Sequence, residues 1–231
     1  MAARIHAQNL GDPTKIQWHI TPYLWLVGLD GDVAVNDIRA PIKSGITDLF
    51  DNRNFFFEVH IEAFKHPWSG IIDFSYLDVI LQSDGTTTAD RADMVFFTLE
   101  GSAAYRLSFS EWNPEVIVGL RLNNLKSRIS QISGSLPIIQ DDRKNWIDPL
   151  VGFRAYRDLG QSWLTGARFD VGGFGVGSDL SWHFNYFLGL KLSPKVIFFL
   201  TYQILDYQYK DGGFEYDMRH FGPVFGVDIK L

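Results

Sequence analysis

The stretch Val116-Ile-Val-Gly-Leu-Arg-Leu-Asn123 alternates apolar side chains with small, charged or polar ones. Successive side chains of a β-strand point to opposite faces, so this period of two indicates a strand with one apolar face. A soluble sheet shows its polar face to water, where lysine is well tolerated. A strand of a membrane barrel shows its apolar face to lipid and encloses the polar one. We interpret the stretch as part of a membrane-spanning β-barrel.

The positions of the lysines favour the same interpretation. All nine lie at the ends of alternating segments or in the connections between them. The polar faces carry Arg, Asp, Glu, His, Asn and Gly instead, as expected for a crowded lumen in which charges must be paired.

Ten segments show this alternation, and several exceed the usual length of soluble strands. They lie at about residues 16–27, 54–65, 68–82, 92–107, 114–130, 145–157, 162–174, 179–191, 195–210 and 213–231. The connections at 66–67, 109–113, 158–160 and 193–194 are very short and alternate with longer ones at 28–53, 83–91 and 131–144, or with brief Gly-bearing ones. Outer-membrane barrels have short periplasmic turns and longer outer loops. The fold class predicted is therefore all-β: an antiparallel up-and-down transmembrane β-barrel of about ten strands, with twelve as the alternative.

The first long connection contains further structure. Residues 32–42 are also strand-like, and we assign them to a hairpin extension because an up-and-down barrel closes with an even number of strands. Ile46, Leu49 and Phe50 follow Ser44 at helical spacing, which predicts a short helix in this loop. Residues 1–15 form an N-terminal segment, and residues 16–231 form a single barrel domain.

Composition agrees with this fold and excludes others. Aromatic residues make up 15% of the 231 residues, as suits a barrel with aromatic girdles. The longest apolar run is about ten residues, whereas a membrane helix needs roughly 20. A net charge of −6 argues against nucleic acid as a partner. Cysteine is absent, and Met1-Ala-Ala-Arg4 leads into polar sequence without the apolar region of a signal peptide, so we expect a mature form.

Several pieces of the chain resemble a family of small, poorly characterised outer-membrane β-barrels of Gram-negative bacteria. They are Trp18-His-Ile-Thr-Pro-Tyr-Leu-Trp25 with Gly28-Leu-Asp-Gly31, Trp68 to Tyr76, Trp146 to Arg154, and Phe221-Gly-Pro-Val-Phe-Gly226. The resemblance implies a bacterial outer-membrane location and a barrel, but no particular reaction. Barrels of this kind usually end in an aromatic residue, whereas this chain ends Asp228-Ile-Lys-Leu231.

The polar faces supply the candidate functional residues, which we predict to line the lumen or a channel. They are Glu58, His60, Glu62, Asp73, Glu100, Arg106, Arg121, Asp148, Arg154, Arg168, Asp170 and His183. Opposed charges of this kind suit either a structural network that fills a narrow lumen or a narrow passive channel for small polar solutes or ions. We expect no covalent chemistry, no cofactor and no metal site.

Two alternatives belong to other classes. An outer-membrane lipid- or peptide-modifying hydrolase would use a histidine with an acid, such as His220 with Asp206 and Asp217, or His60 or His183 with Ser75, Ser102 or Ser181. A soluble lipocalin-like ligand-binding barrel would have the same pattern with its apolar row inside. The expected partners are outer-membrane lipid and lipopolysaccharide, the latter through basic residues at the outer rim, and we expect a monomer.

Overall fold

The computed structural model describes residues 15–36, 38–45, 55–82, 91–107, 111–133 and 136–231. Every regular element in that part of the chain is a β-strand. The strands are β1 (Gln17–Trp25), β2 (Gly28–Val35), β3 (Ile38–Ser44), β4 (Phe55–Lys65), β5 (Trp68–Gln82), β6 (Arg91–Arg106), β7 (Glu115–Ser133), β8 (Leu136–Leu159), β9 (Trp163–Gly172), β10 (Leu180–Ser193), β11 (Val196–Asp211) and β12 (Phe214–Lys230). Within those ranges no helix is long and apolar enough to span a membrane.

Ten of these strands close into an antiparallel barrel, which confirms the predicted fold class. Each pairs with its neighbour in the order β1-β4-β5-β6-β7-β8-β9-β10-β11-β12. The ring closes where β1 pairs with β12, with His19 opposite Lys230 and Trp25 opposite Val224. No strand edge is left along this ring, because closure pairs every strand on both sides.

The β2–β3 hairpin is an extension of the barrel, as predicted for residues 32–42. Strand β12 is longer than β1, so its N-terminal half pairs with β2 instead, with Phe214 opposite Val35 and Phe221 opposite Gly28. Strand β3 then pairs back onto β2. The helix predicted at residues 46–50 lies outside the described residues.

The barrel has two distinct ends. The short connections at 66–67, 160–162 and 194–195 lie at one end, together with the start of β1, the end of β6, the start of β7 and the end of β12. We call this the short-turn end, and the opposite one, which carries the β2–β3 and β7–β8 hairpins, the hairpin end. The long polar loop expected at 131–144 is wrong, because β7 and β8 continue as a paired hairpin with Ser133 opposite Leu136. Cross-strand pairs such as Arg128 with Asp141 extend the ladder there.

An apolar belt surrounds the outside of the barrel in its short-turn half. On β7 the outward residues Val118 and Leu120 are 55% and 52% exposed. Neighbouring strands contribute the same kind of outward side chain: Trp18, Phe57, Trp68, Ile72, Tyr105, Ile147, Val151, Phe153, Trp163, Phe184, Tyr186, Leu200, Tyr202 and Phe225. A continuous exposed apolar band of this kind is what a barrel shows to hydrocarbon. The predicted outward orientation of the apolar row that contains Leu120 is therefore confirmed.

The polarity of the two faces is reversed in the hairpin half of the barrel. Along β7, the outward residues change from Leu120 and Leu122 to Lys126 and Arg128, while the inner ones change from Arg121 to Leu125 and Ile129. Strand β11 changes in the same way, because Tyr207 points inward and Gln208 outward. Lys126, Lys144 and Lys210 lie on the strands of this half. The membrane belt therefore ends near Leu122, and the hairpin half projects into water as a barrel with an apolar interior.

Candidate functional site

The short-turn half of the lumen contains a cavity of about 430 Å³. Most of the residues predicted to face the lumen line it: Glu58, His60, Glu62, Asp73, Glu100, Arg106, Arg121, Arg154, Arg168 and His183. Asp148 and Asp170 lie behind this lining and are fully buried. The period-two alternation places all of these side chains on the inner face, and closure of the barrel brings them together from strands far apart in sequence.

Asp170 is the centre of the charged wall. Its carboxylate accepts hydrogen bonds from Arg121 Nη2 at 2.9 Å and from Arg168 Nε at 2.8 Å. His183 Nδ1 lies 3.1 Å from its second oxygen. Asp170 is fully buried, so the two arginines supply the compensation that a buried carboxylate requires.

Glu100 and Asp73 continue the wall around the lumen. Glu100 accepts from Arg121 Nη2 at 2.8 Å and from Arg168 Nη2 at 2.5 Å, which joins the two arginines through a second carboxylate. Asp73 lies 2.6 Å from His60 Nδ1 and 3.4 Å from Arg168 Nη1. The planar guanidinium groups suit this arrangement because each can bond two carboxylates at once.

Glu115 organises a second part of the network near the short-turn end. It is 1% exposed and accepts from Arg106 Nε at 2.8 Å and from Arg154 Nε at 2.7 Å. Arg154 also donates to Glu62 at 3.0 Å. Glu115 is absent from the residues predicted to line the lumen. It has the same side-chain direction on β7 as Arg121, because the two are an even number of residues apart, so the alternation was sufficient to identify it.

Part of the cavity wall is apolar. It consists of Leu164, Phe187, Ile197 and Phe199 on β9, β10 and β11. Phe187 and Phe199 pack edge to face with ring centroids 5.3 Å apart. Gly189 lies between Leu164 and Phe199 in the sheet, and a Cβ atom there would come within 2.8 Å of Leu164 Cδ2 and of Phe199 Cε1. The missing side chain therefore allows this wall to pack closely.

A packed apolar cluster, which we call the plug, fills the lumen in the hairpin half. Its buried members are Trp25, Val27, Leu29, Val33, Val35, Ala40, Ile42, Phe56, Leu77, Val79, Ala92, Met94, Phe96, Leu125, Ile129, Trp146, Leu205, Tyr207, Tyr209, Phe214, Tyr216, Met218 and Val224. Trp146 stacks on Tyr209 with ring centroids 4.1 Å apart and on Phe96 at 5.9 Å. The hairpin contributes through the inner faces of β2 and β3, so the barrel is closed partly by its own extension.

The catalytic set considered at the outer rim is not assembled. His220 points into the plug, where its Nε2 lies 2.6 Å from the hydroxyl of Tyr216. Asp206 and Asp217 lie on the outward face of their strands, and Asp206 pairs with Arg219 at 2.9 Å. Burial and the neighbouring carboxylates Asp206, Glu215 and Asp32 raise the pKa of Asp217.

The other histidines considered for catalysis are also engaged by acids. His60 contacts Asp73 and Glu62, and His183 contacts Asp170. Ser75 bonds to Thr98. Among the described residues no cluster of His, Cys, Asp and Glu is arranged to hold a metal ion.

Several basic residues at the hairpin end are paired within the protein. Arg128 Nε donates to Asp141 at 2.7 Å, and this hydrogen bond lowers the pKa of that carboxyl. Lys144 Nζ lies 3.0 Å from Asp211, and Arg39 pairs with Glu215. These pairs leave less positive charge for the phosphates of surface lipid than the sequence suggests.

Comparison with known proteins supports the fold. No protein-family model and no curated protein sequence matches the chain. The translocator domain of the autotransporter NalP from Neisseria meningitidis aligns with a TM-score of 0.52 at 8% identity, over 99% of this chain and 93% of that one. Neisserial surface protein A gives 0.42 at 8% identity, with 94% and 99% coverage. Ail of Yersinia pestis gives 0.40 at 10% identity, with 94% and 99% coverage.

The closed barrel and its outward apolar belt agree with the NalP likeness. Together they identify an outer-membrane β-barrel protein and confirm, at the level of the fold, the resemblance to Gram-negative outer-membrane barrels. The soluble lipocalin-like alternative is wrong for the short-turn half, where the apolar row points outward and the charged row inward.

Proposed function

We propose that the protein is a sealed outer-membrane barrel. Its lumen is closed toward the cell exterior, and its polar cavity faces the periplasm. In this proposal the barrel conducts neither ions nor solutes in its resting form, and its role is structural. The passive channel, the second role that the sequence left open, is the less favoured of the two.

The plug is the observation that carries this proposal. Tyr207, Met218, Leu125 and Ile129 have no measurable exposure, although they lie on the inner face of the barrel. Apolar side chains packed at the density of a protein interior leave no path for water or a hydrated ion. A barrel of this size is also near the limit at which side chains fill the interior.

The charged wall supports the same role. Its arginines and carboxylates are paired with one another across strands, for example Arg154 with Glu62 and Arg121 with Asp170. Charges held in this way fix the strand register and fill space. A conducting path would require charges that exchange their partners for passing ions.

The belt supports two expectations about partners. Its exposed side chains are suited to contact lipid tails, and no ligand other than lipid is needed to cover them. The closed ring of strands is complete within one chain, so we expect a monomer. Binding of lipopolysaccharide phosphates at the hairpin end remains part of this proposal, although the basic side chains paired there weaken it.

Conductance across a planar lipid bilayer tests the seal. We expect a silent baseline after insertion of the wild-type barrel, with folding verified by heat-dependent gel mobility. The double variant Trp146→Ala/Tyr216→Ala removes two rings of the plug, and we expect it to show a measurable leak. A steady conductance of the wild-type protein would overturn the proposal.

A further inference from the structure

We propose that the cavity binds a small organic anion with one carboxylate and one apolar, preferably aromatic, body. The anion enters from the short-turn end. Its carboxylate lies between Lys195 and Lys230, and its body lies against the wall formed by Ile197, Phe199 and Phe187. This binding activity goes beyond the sealing function, which does not require a ligand.

The two lysines form a single positive site at the mouth of the cavity. The backbone N–H of Lys230 donates to the carbonyl of Lys195 at 2.9 Å, so the two residues are immediate neighbours. Both side chains line the cavity, and neither makes an ion pair among the described residues. Two unpaired ammonium groups at the entrance attract anions and repel cations.

Two acids that line the cavity at this end, Asp228 and Asp158, are already engaged. Asp228, on the same face of β12 as Lys230, lies 3.0 Å from His19 Nδ1 and accepts a hydrogen bond from Thr21 at 3.0 Å. Asp158 accepts from Lys191 Nζ at 2.6 Å. The positive charge of Lys195 and Lys230 is therefore left for a ligand.

An apolar surface extends inward directly from this charged site. Lys195 immediately precedes β11, and Ile197 and Phe199 follow it at the next two positions that line the cavity. The distance from Lys195 to Phe199 is roughly 13 Å at the usual rise per residue. Phe187 lies beside Phe199, and the absence of a side chain at Gly189 leaves room for Phe199 and Leu164 on either side of it. A carboxylate at the lysines thus places an attached ring against the phenylalanines, where edge-to-face packing is favourable.

The cavity has the size and polarity of a ligand site. Its volume of about 430 Å³ falls within the range of roughly 300–1,000 Å³ for small-molecule pockets. The arginines of the charged wall are compensated by carboxylates, so that wall adds little net charge. Glu58 also faces the cavity, and its Oε2 atom has no hydrogen-bond partner. Glu58 would favour a bound cation, so the comparison of an anionic ligand with an amine of the same shape decides whether the cavity selects anions.

Calorimetric titration of the full-length protein in phosphatidylcholine nanodiscs tests the inference, with empty nanodiscs subtracted. The probes are 3-phenylpropionate, its neutral amide 3-phenylpropionamide, and 3-phenylpropylamine, which share a ring and differ in charge. We expect saturable binding of the acid, at least about tenfold tighter than binding of the amide or the amine, because a charge-assisted contact is lost in each. This comparison needs no variant and does not depend on a variant folding.

Variants then locate the site. We expect the double variant Lys195→Gln/Lys230→Gln to weaken binding of the acid by at least about tenfold. The matched control Lys65→Gln removes a lysine at the same end that does not line the cavity, and binding should be unchanged. Ile197→Ser should weaken binding of both the acid and the amide, because both share the apolar body.

Three results would overturn the inference. They are equal binding of acid and amide, tighter binding of the amine, or no saturable heat with millimolar acid. Unchanged binding in the double lysine variant would also reject the assigned position. None of these results affects the seal, which is measured separately by conductance.

Discussion

Neutralising Asp170 should cost far more stability than neutralising a surface carboxylate on the same barrel. Asp170 is fully buried and compensates Arg121 at 2.9 Å and Arg168 at 2.8 Å. Removing one member of a buried ion pair typically costs about 3–5 kcal/mol, because the partner charge stays buried without compensation. Both arginines keep Glu100, so we expect Asp170→Asn to lower the free energy of unfolding by about 3 kcal/mol, at the lower end of that range.

Asp141→Asn is the matched control for this comparison. Asp141 also pairs with an arginine across two strands, but the side chains of Arg128 and Asp141 are 49% and 53% exposed. An exposed pair is screened by solvent and contributes little, so this variant should remain close to the wild type. Urea titration in lipid vesicles, followed by tryptophan emission and gel mobility, measures both. A loss below about 1 kcal/mol for Asp170→Asn, equal to the control, would refute a structural role for the charged wall.

Three further predictions concern the wall of the barrel and its hairpin end. Gly119→Ala should destabilise by about 1–3 kcal/mol in urea titration, because its Cβ would lie 2.7 Å from the carbonyl of Gly101, whereas Gly101→Ala has open space and should be tolerated. Leu120→Arg places a charge in the belt and should lower the free energy of unfolding by about 2–4 kcal/mol. Arg128→Leu, in the hairpin half outside the belt, should lower it far less in the same vesicles. The raised pKa of Asp217 means that the folded state holds its proton more tightly than the unfolded state does, so this group stabilises at low pH and its contribution is lost as pH rises through the folded pKa. Asp217→Asn should therefore unfold at higher urea concentration than the wild type at pH 7, with no such gain at pH 3.

The strand pattern was predictable because alternation is a local property. Residues 114–130 already show one apolar and one polar row, and the hairpin at 32–42 has its own alternation. The ion pairs within the lumen could not be predicted from sequence. Each pair depends on the registers of all the neighbouring strands that separate its two residues around the barrel. Arg154 and Glu62, for example, are 92 residues apart in sequence and meet only when the barrel closes.

The reversal of polarity along the strands was also missed. Asn123 and Asn124 are adjacent polar residues between Leu122 and Leu125, and the apolar row changes face at this point. From the sequence alone, the side-chain row that is apolar at the short-turn end is therefore expected to face lipid along the whole strand. Strands β7 and β8 also extend beyond residue 130. The sequence predicts a loop there because the residues are polar, whereas they belong to strands whose outer face meets water.

The position of the membrane along β7 tests this reversal most directly. The chain contains no cysteine, so single cysteines can be introduced at successive outward positions from Val116 to Arg128 and spin-labelled in lipid vesicles. Accessibility to oxygen, which concentrates in hydrocarbon, and to a water-soluble nickel complex can then be compared at each position. We expect labels at Val118 and Leu120 to be reached by oxygen, labels at Lys126 and Arg128 by nickel, and the change to fall near Asn124. Nickel access along the whole row, or oxygen access as far as Arg128, would contradict a barrel that is half in lipid and half in water.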